Sequence, residues 1–395
     1  MATVNQIYAL VNDAAAQAMG SSAIAVQNTS GLVSLGDTVL SSDDNKEQFY
    51  KALVDRIGRT IVAVRAYQAK KRSVKKDEMD WGAIYQKISY KKRDAVSNPT
   101  WVDNAQADPF DVAIQTEAVQ TLFSEIATYS YEDSIPDAQL FTAFTNPQAM
   151  GAFISGIYTN MYNYLELTQE NLDALAVNTN IVETGMISGA KPLRYRNLLK
   201  EYNIAKGYTG DNAGDALTAT EALMSKDFLK FAAREIKMTL GYLEKFGTKY
   251  SYGDIPRHTP KDKQVVEMLG AFASATETYL EADTFHNELV KLPGYEEVAY
   301  WQGQGDSSFS DVSKIIQKSK VDSTTYTVTC ADVIAFVHDI DSCASIIYKR
   351  RSHSAYNPRS ERFNIFEKAD QGYAVDITEN AVVFTLADIV IEADA

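Results

Sequence analysis

Apolar side chains recur at steps of three and four over a long stretch of the chain that begins at Asn146-Pro147. Asn is a favoured N-cap, and Pro is favoured at the first helical position because no N–H is needed there. No other proline occurs up to Asn178, so the spacing predicts a helix of about 30 residues, about 45 Å long. The mean helix has about 11–12 residues, and this greater length indicates an architectural element rather than a pocket. The residues on that face are Met150, Phe153, Ile154, Ile157, Met161, Tyr164, Leu165, Thr168, Leu172 and Leu175.

The N-terminal part of the chain has few large apolar residues. Residues 5–19 predict a short helix, whereas residues 20–42 predict an extended arm that is ordered only by contact with something else. A disordered tail is the alternative on composition. Ser42, Asp43 and Asp44 supply an N-cap and early acidic residues for a helix over residues 46–57.

The rest of the chain mixes helical and strand patterns. Residues 105–123 predict strand or mixed structure, residues 128–136 a turn-rich link, and residues 178–214 a polar connector. Thr218 and Glu221 form a T-x-x-E capping box, which predicts a helix over residues 218–246. A further helix is predicted over residues 275–289, with strands over 264–269, 324–329, 333–337, 362–366, 373–378 and 381–386. The fold class is α+β.

A strongly basic segment, residues 65–93, extends from the first of two predicted strands (residues 60–67) to just beyond the second (residues 81–90). It carries ten basic residues against Asp77, Glu78 and Asp80, a balance of +7 in a chain whose net charge is −14. A strand, a polar tip and a returning strand predict a projecting hairpin. Docking of this arm on an acidic surface of another copy ranks first, a solvated loop second, and nucleic-acid binding third because few aromatic residues are interleaved. The candidate inter-subunit contact residues are Arg65, Lys70, Lys71, Arg72, Lys75, Lys76, Lys87, Lys91, Lys92 and Arg93.

Composition narrows the functional classes. The net charge of −14 argues against general nucleic-acid binding by the whole molecule, and the 23 tyrosines, spread along the chain, favour surfaces half buried against a partner over simple packing at strand edges. Cys330 and Cys343 are too few for a disulfide framework, which indicates a reducing compartment. Neither a signal peptide nor a membrane-spanning apolar run is evident, so we expect no membrane partner.

Motifs that carry chemistry are not found in the sequence. The histidines His258, His286, His338 and His353 are far apart and lack zinc spacing. His338 follows a predicted strand and precedes Asp339, but a strand-end pair of this kind is more often a loop or cap feature than a metal site. Neither a P-loop nor a nucleophile elbow occurs. We therefore expect a protein that is not an enzyme, with no catalytic residue, cofactor or metal.

Three segments, in matching order, carry a resemblance to a known family: residues 49–61 (FYKALVDRIGRTI), the long helix with its lead-in (138–144) and its continuation (152–167, AFISGIYTNMYNYLEL), and Tyr356-Asn357-Pro358-Arg359 followed by a β-rich tail that ends in residues 381–384. The chain resembles the major capsid proteins of small short-tailed, protein-primed phages of the phi-29 type, which have the Hong Kong 97-like fold.

The resemblance implies a division into an N-terminal arm and short helix (residues 1–59), an extended basic loop (60–105), a peripheral domain built on the long helix (106–210 and 355–395) and an axial domain (211–354). No additional immunoglobulin-like domain is expected after Ala395, and the Lys–Asn cross-link of the fold's namesake has no local motif here. Since no scaffolding segment is evident, a separate scaffolding protein is implied.

The functional expectation is a major capsid protein that forms pentamers and hexamers of an icosahedral head. Its partners would be other copies of itself, a scaffolding protein, a portal or connector, and double-stranded DNA held on the inner face without sequence specificity. The protein would reside in the virion after assembly in the host cytoplasm. The alternatives are another virion or assembly protein, such as a tail or scaffold component, and a cytoplasmic nucleic-acid-binding protein that uses residues 65–93.

Overall fold

A computed structural model describes residues 4–20, 25–49, 51–52, 74, 85–90, 118–123, 127–137, 147–208, 210–253, 255–281, 293–302, 308–321 and 324–394. The strand predicted over residues 60–67 lies outside them. The helices are α1 (Val4–Met19), α2 (Thr29–Leu40), α3 (Pro147–Met186), α4 (Leu198–Ala205), α5 (Ala219–Met224), α6 (Lys226–Leu243), α7 (Gly270–Glu281) and α8 (Phe309–Val312). The strands are β1 (Tyr85–Tyr90), β2 (Ala118–Phe123), β3 (Ala127–Pro136), β4 (Tyr195–Asn197), β5 (Gln264–Leu269), β6 (Glu296–Val298), β7 (Ile315–Val321), β8 (Thr324–Cys330), β9 (Val333–Asp339), β10 (Cys343–Asn357), β11 (Arg362–Val375), β12 (Ala381–Thr385) and β13 (Val390–Ala393).

The predicted long helix is present as α3, which has 40 residues and continues well past Asn178. Residues 178–186 are therefore helical, and their prediction as a polar connector was wrong. Their polar side chains are buried and hydrogen-bonded: the Asn178 amide donates to the Trp301 carbonyl at 2.6 Å, and the Asn180 amide donates to the Ser342 hydroxyl at 3.0 Å. Polarity in this stretch marks contacts between elements, not the end of the helix.

Beside α3 lies an antiparallel three-stranded sheet of order β10-β11-β3. Residues 128–136 belong to it as part of β3, so the predicted turn-rich link was also wrong; the strand pairs with β11 from Arg362↔Pro136 to Gln371↔Ala127. The two predicted strands 362–366 and 373–378 are joined in the single strand β11, which ends at Val375.

The N-terminal segment is helical and packed on this sheet. An Asn28 cap starts α2 within residues 20–42, where an extended arm was predicted, so the extended conformation was wrong for residues 29–40. Leu32, Leu35 and Val39 are fully buried in one cluster with Phe363 and Ile365 of β11. The helix expected over residues 46–57 is present at residues 46–49 and 51–52 and begins three residues earlier, at Asp43, whereas residues 53–57 lie outside the described part.

A second layer combines the sheet β4-β12-β9-β5-β6 with helices α4 to α7. Its fully buried core includes Phe228, Ile236, Phe336 and Phe384. The helix predicted over residues 218–246 is two helices, because Ser225 leaves the helical conformation and accepts a hydrogen bond from the Phe228 N–H as the N-cap of α6. The predicted capping box at the start of α5 is confirmed.

Strand pairing crosses the predicted domain boundaries. β12, placed in the peripheral domain, pairs with β9 of the predicted axial domain, from Ala381↔His338 to Thr385↔Val333. A third sheet of order β13-β8-β7 packs on α3, where Gln317 donates to Thr179 and Ser319 donates to Glu183. The helix α7 begins at Gly270 rather than at residue 275, and residues 282–289 lie outside the described ranges. Among the described helices, none combines the length and the apolar character that a membrane span requires.

Candidate inter-subunit surface

Of the strand predicted over residues 81–90, residues 85–90 are described and form β1, which pairs with β2. The two strands pair antiparallel from Tyr85↔Phe123 to Tyr90↔Ala118. We call this two-stranded unit the ribbon (residues 85–90 and 118–123). Isolated two-stranded ribbons are marginally stable in water, so contacts with the body of the chain are needed to fix its position.

The ribbon has an inner side that lies against the protein body and an outer side that is exposed to solvent. Because side chains alternate along a strand, Lys87 and Ser89 point to one side and Ile88 and Tyr90 to the other. Ser89 is buried and Lys87 is partly buried, whereas Ile88 is 53% exposed, Tyr90 66% and Leu122, on the paired strand, 55%. The register places Val119, Thr121 and Phe123 on the side that meets the protein body, beside Lys87 and Ser89, and Gln86 and Gln120 on the side that meets solvent. The inner side is thus mixed and contains the buried charge, and the outer side presents three large apolar side chains between two glutamines.

Lys87 is held by two carboxylates in the turn between β11 and β12. Its Nζ lies 2.7 Å from Asp376 Oδ2 and 2.8 Å from Glu379 Oε1, and it donates a hydrogen bond to the Asp341 carbonyl at 3.0 Å. Burial acts to lower the pKa of Lys87, but the two carboxylates outweigh it and raise that pKa above its usual value. Burial raises the pKa of Glu379 despite the nearby cations, whereas Lys87 and Thr378 hold the pKa of Asp376 below its usual range although burial opposes them.

Two arginines complete this anchor. Arg257 donates to the Ser89 hydroxyl at 2.9 Å and lies 3.2 Å from Glu379 Oε1. Arg194 is fully buried and donates to the Ile377, Glu379 and Ala381 carbonyls. Burial lowers the pKa of Arg194 to about 10, so it remains protonated near neutral pH. The turn of residues 376–380 is therefore bonded to the ribbon on one side and to the segment after α3 on the other.

Of the ten predicted contact residues, only Lys87 is described, and its partners lie in its own chain. Val74, between the basic residues, is 1% exposed, and its carbonyl accepts a hydrogen bond from the Ser345 N–H at 3.0 Å. The middle of the predicted projecting tip therefore contacts its own body, unlike a freely projecting hairpin. The other nine predicted residues lie outside the described ranges: Arg65, Lys70, Lys71, Arg72, Lys75, Lys76, Lys91, Lys92 and Arg93.

Sequence reasoning missed the exposed apolar side chains of the ribbon and the carboxylates that bind Lys87. The alternation K-I-S-Y at residues 87–90 was a signal for two different faces, but alternation does not say which face is turned outward. Asp376 and Glu379 are nearly 290 residues from Lys87, and only the folded chain brings them together.

His338 does not form a metal site with Asp339. Its imidazole is fully buried, with Nε2 3.6 Å from Glu267 Oε1 and Nδ1 2.9 Å from the Ser342 hydroxyl. Within the described ranges, no group of three or more His, Cys, Asp or Glu side chains is arranged to hold a metal ion.

Comparison with known proteins identifies a family and a relative of similar sequence. The sequence model of the Phi29-like phage major capsid protein family matches residues 7–385. A curated relative, the major capsid protein of Bacillus phage GA-1, is 30% identical over 153 residues, which is 38% of this chain and 31% of the relative. The matched segment thus spans about a third of that relative's length.

Similar folds occur in solved phage structures. A chain in the capsid structure of Staphylococcus phage Andhra superposes with a TM-score of 0.51 and 8% identity over 82% of this chain and 88% of its own. A chain in the structure of the head fiber and inner core protein gp22 of native bacteriophage P68 superposes with a TM-score of 0.50 and 12% identity over 80% of this chain and 83% of its own. The α+β capsid fold and the family resemblance predicted from the sequence are confirmed.

Proposed function

Because this chain belongs to the Phi29-like phage major capsid protein family, we propose that many copies of it form pentamers and hexamers that close into an icosahedral head around double-stranded DNA. The observation that carries this proposal is the ribbon, whose inner side is bonded to its own chain through Lys87 and Ser89, while Ile88, Tyr90 and Leu122 on its outer side are each more than half exposed. Interface centres are rich in apolar and aromatic side chains, so we assign the outer face to contact with another copy.

The parts of the subunit take distinct roles in this proposal. Residues 60–105 reach the adjacent subunit, and Lys87 fixes this segment to the body of its own chain. The long helix α3 with the β10-β11-β3 sheet forms the peripheral unit, and the N-terminal helices of residues 1–59 pack on it. The axial unit comprises residues 211–342 together with β4 and β12, since these two strands complete its sheet and β10, which begins at Cys343, belongs to the peripheral sheet.

We propose a separate scaffolding protein and a portal or connector as partners during assembly in the host cytoplasm. DNA is enclosed without sequence-specific contacts, because a subunit with a net charge of −14 repels a polyanion over most of its surface. The role is structural, and no step of catalysis is assigned.

The test is assembly of the full chain, expressed alone and with its neighbouring phage genes, followed by negative-stain electron microscopy. The variant neutralises five cations of the basic segment, Lys70, Lys71, Arg72, Lys75 and Lys76, each to Gln. A matched control neutralises five exposed lysines of the axial unit, so that both variants change the net charge equally: Lys237, Lys245, Lys249, Lys261 and Lys263.

We expect closed shells from the wild-type chain, and a low shell yield from the first variant with unchanged far-UV circular dichroism. Normal shells from the first variant would remove the docking role of the basic segment. A stable wild-type monomer with no shells in either preparation would refute the capsid function. Rods or rings would then favour a tail or scaffold component, and salt-sensitive DNA binding by the subunit would favour the nucleic-acid alternative.

A further inference from the structure

Two titratable side chains, which we call the buried pair (Glu267 and His338), face each other across neighbouring strands of the five-stranded sheet. Glu267 on β5 and His338 on β9 are both fully buried, and Glu267 Oε1 lies 3.6 Å from His338 Nε2. The ring of Phe336 stacks on the imidazole with centroids 4.6 Å apart. Within the described ranges, neither oxygen of Glu267 receives a hydrogen bond and Nε2 makes none. Since a buried charge without a partner is costly, the number of protons held by the pair matters for the sheet.

The second ring nitrogen of His338 needs a proton of its own. Nδ1 lies 2.9 Å from the Asp339 carbonyl oxygen and 2.9 Å from the Ser342 hydroxyl. A carbonyl oxygen only accepts hydrogen bonds, so a bare Nδ1 would set one lone pair against another. Nδ1 therefore donates to Asp339, and Nε2 has to share a further proton with Glu267. Both sides of the imidazole are satisfied only while the pair holds this further proton, because one imidazole proton cannot serve both nitrogens.

A chain of polar groups leads from the buried pair to the long helix α3. The Ser342 hydroxyl accepts a hydrogen bond from the Asn180 amide at 3.0 Å, and the Asn180 carbonyl oxygen accepts one from the Thr184 hydroxyl at 3.3 Å. Thr184 accepts in turn from Arg194 Nη2 at 3.5 Å. All four side chains are fully buried, so water does not compete for these bonds. Along this path the first charged group after the buried pair is the Arg194 guanidinium.

Ser342 lies where the chain passes from the five-stranded sheet to the three-stranded sheet, between β9 and β10. The return connection, residues 376–380, runs beside it: the Ser342 carbonyl accepts a hydrogen bond from the Asp376 N–H at 2.7 Å, and the Asp339 N–H donates to the Asn380 carbonyl at 3.0 Å. We call residues 339–342 and 376–380 the two connections. They are bonded to each other, and the Ser342 hydroxyl bonds them to α3.

Other titratable groups of the strands lie close to the buried pair. Cys343 Sγ on β10 lies 3.9 Å from His338 Nδ1, whereas the Asp339 carboxylate accepts hydrogen bonds from the Thr259 hydroxyl at 2.8 Å and from a backbone N–H at 2.9 Å. Burial acts to lower the pKa of His338, but Cys343 and Glu267 raise it well above its usual value. The further proton is therefore present at neutral pH, and the stabilisation it gives is lost as the pH rises through the folded-state pKa.

The carboxylates of the return connection have cations of their own. Asp376 Oδ2 and Glu379 Oε1 lie 2.7 Å and 2.8 Å from Lys87 Nζ, and Arg257 lies 3.2 Å from Glu379. The proton held by the buried pair is thus separate from the ion pairs that anchor the ribbon.

We propose that the proton shared by Glu267 and His338 is a latch that holds the two connections against α3, and that its loss at alkaline pH releases them while the core of the sheet stays folded. With the remaining proton on Nδ1, a buried carboxylate faces a bare nitrogen. With that proton on Nε2, the bond of Nδ1 to Asp339 is lost. Opening of the turn at Ser342 admits water and relieves either arrangement. The latch lies inside one copy, so its test does not depend on the proposed capsid function.

The two native cysteines report this release without an engineered probe. Cys343 follows Ser342 directly and is 2% exposed, and Cys330 is 0% exposed in the core. The full chain is treated with iodoacetamide at about pH 7 and at about pH 9, on the alkaline side of the ordinary histidine pKa. Cleavage at aspartate places the two cysteines in different peptides, and mass spectrometry measures the alkylated fraction of each.

Glu267→Gln is the test variant, because the glutamine amide keeps the shape of glutamate and donates to Nε2 an N–H that does not titrate. The matched control, Glu392→Gln, removes the same charge at an exposed position of β13. A thiol becomes more reactive as the pH rises, so the proteins are compared with each other at the same pH. At about pH 9 we expect several-fold faster alkylation of Cys343 in the wild type and in Glu392→Gln than in Glu267→Gln, with equal rates at about pH 7.

Equal alkylation of Cys343 in the wild type and Glu267→Gln at both pH values would overturn the latch. Alkylation of Cys330 in step with Cys343 would also overturn it, because the chain then unfolds as a whole. Hydrogen exchange of the wild type needs no variant. After correction for the intrinsic exchange rate, the two connections should lose protection several-fold at the higher pH, whereas β12 should keep it. Unchanged protection of the two connections would refute the release even if Glu267→Gln failed to fold.

Discussion

Replacement of Lys87 by Met tests whether the ribbon is anchored by charge. Methionine keeps the length of the aliphatic stem but removes the cation that lies 2.7 Å from Asp376 and 2.8 Å from Glu379. The two carboxylate side chains are only 5% and 8% exposed. Removal of one partner from a buried ion pair costs about 3–5 kcal/mol. We expect about 3 kcal/mol of lost unfolding free energy, at the low end, because Arg257 still lies 3.2 Å from Glu379.

The unfolding free energy lost in Lys87→Met should become smaller as the pH falls. In the wild-type protein the pKa of Asp376 is held low, so its contribution is present above the ordinary carboxyl pKa of about 4 and is lost as the pH falls through its folded-state pKa. Without Lys87, the pKa values of Asp376 and Glu379 both rise. As the pH falls, the wild type loses the stabilisation that Asp376 gains from Lys87, and the variant has none of it to lose, so the difference in unfolding free energy between the two proteins narrows between about pH 7 and about pH 4.

Urea denaturation of both proteins at the two pH values measures this difference, and hydrogen exchange at β1 reports whether the ribbon is released. The matched control is Lys318→Met, which removes an exposed cation 2.7 Å from Asp394 with side-chain exposures of 70% and 29%. Surface pairs of this kind contribute about 0–1 kcal/mol. An equal loss in both variants, or a Lys87→Met loss that does not change with pH, would refute the anchoring by charge.

Three other substitutions probe the body of the subunit. Ile157→Pro, inside the backbone of α3, should cost about 3 kcal/mol or more, and an unchanged melting temperature would contradict the helix assignment. Arg194→Met removes the donor to three carbonyls of the 376–381 segment and should lower the free energy of unfolding, measured in urea, by about 3 kcal/mol. An unchanged free energy of unfolding would contradict the role of Arg194 in holding this segment. Burial acts to lower the pKa of His338, but neighbouring Cys343 and Glu267 raise it well above its usual value. The stabilisation that His338 contributes is therefore complete below about pH 6.5 and declines as the pH rises through its folded-state pKa. His338→Gln should show a flatter alkaline decline in the free energy of unfolding, and an identical decline in both proteins would exclude His338 as its source.

The sequence predicted those elements whose signals are local. The start of α3 at Pro147, the capping box of Thr218 and Glu221, and the limits of β5 depend on nearest neighbours along the chain, and all three are present. Residues 128–136 were misjudged because Glu132, Asp133 and Ser134 disfavour strands locally. Their pairing with β11 is supplied by residues more than 200 positions away, and such tertiary pairing overrides local preference.

The same limit applies to the candidate surface. Ten basic residues were predicted as one functional set because they share a charge, but charge does not reveal which partner a side chain meets. For Lys87, the one of the ten that the structure describes, the partners are Asp376 and Glu379 of its own chain, towards which β1 turns its side chain. The exposure of Ile88 and Tyr90 was not predicted, because two apolar residues on one side of a strand ordinarily indicate that this side is buried.

The position of the anchor has a consequence for assembly. Residues 376–380 join β11 of the three-stranded sheet to β12 of the five-stranded sheet, and Lys87 and Arg257 tie the ribbon to that joint. In the proposed assembly, a small rotation of one sheet relative to the other would carry the ribbon with it and would change the angle between its outer face and a neighbouring copy. An icosahedral shell built of pentamers and hexamers needs one contact surface that serves several angles. If the ribbon moves with this joint, Lys87→Met should broaden the range of shell diameters seen by electron microscopy, whereas Lys318→Met should leave it unchanged.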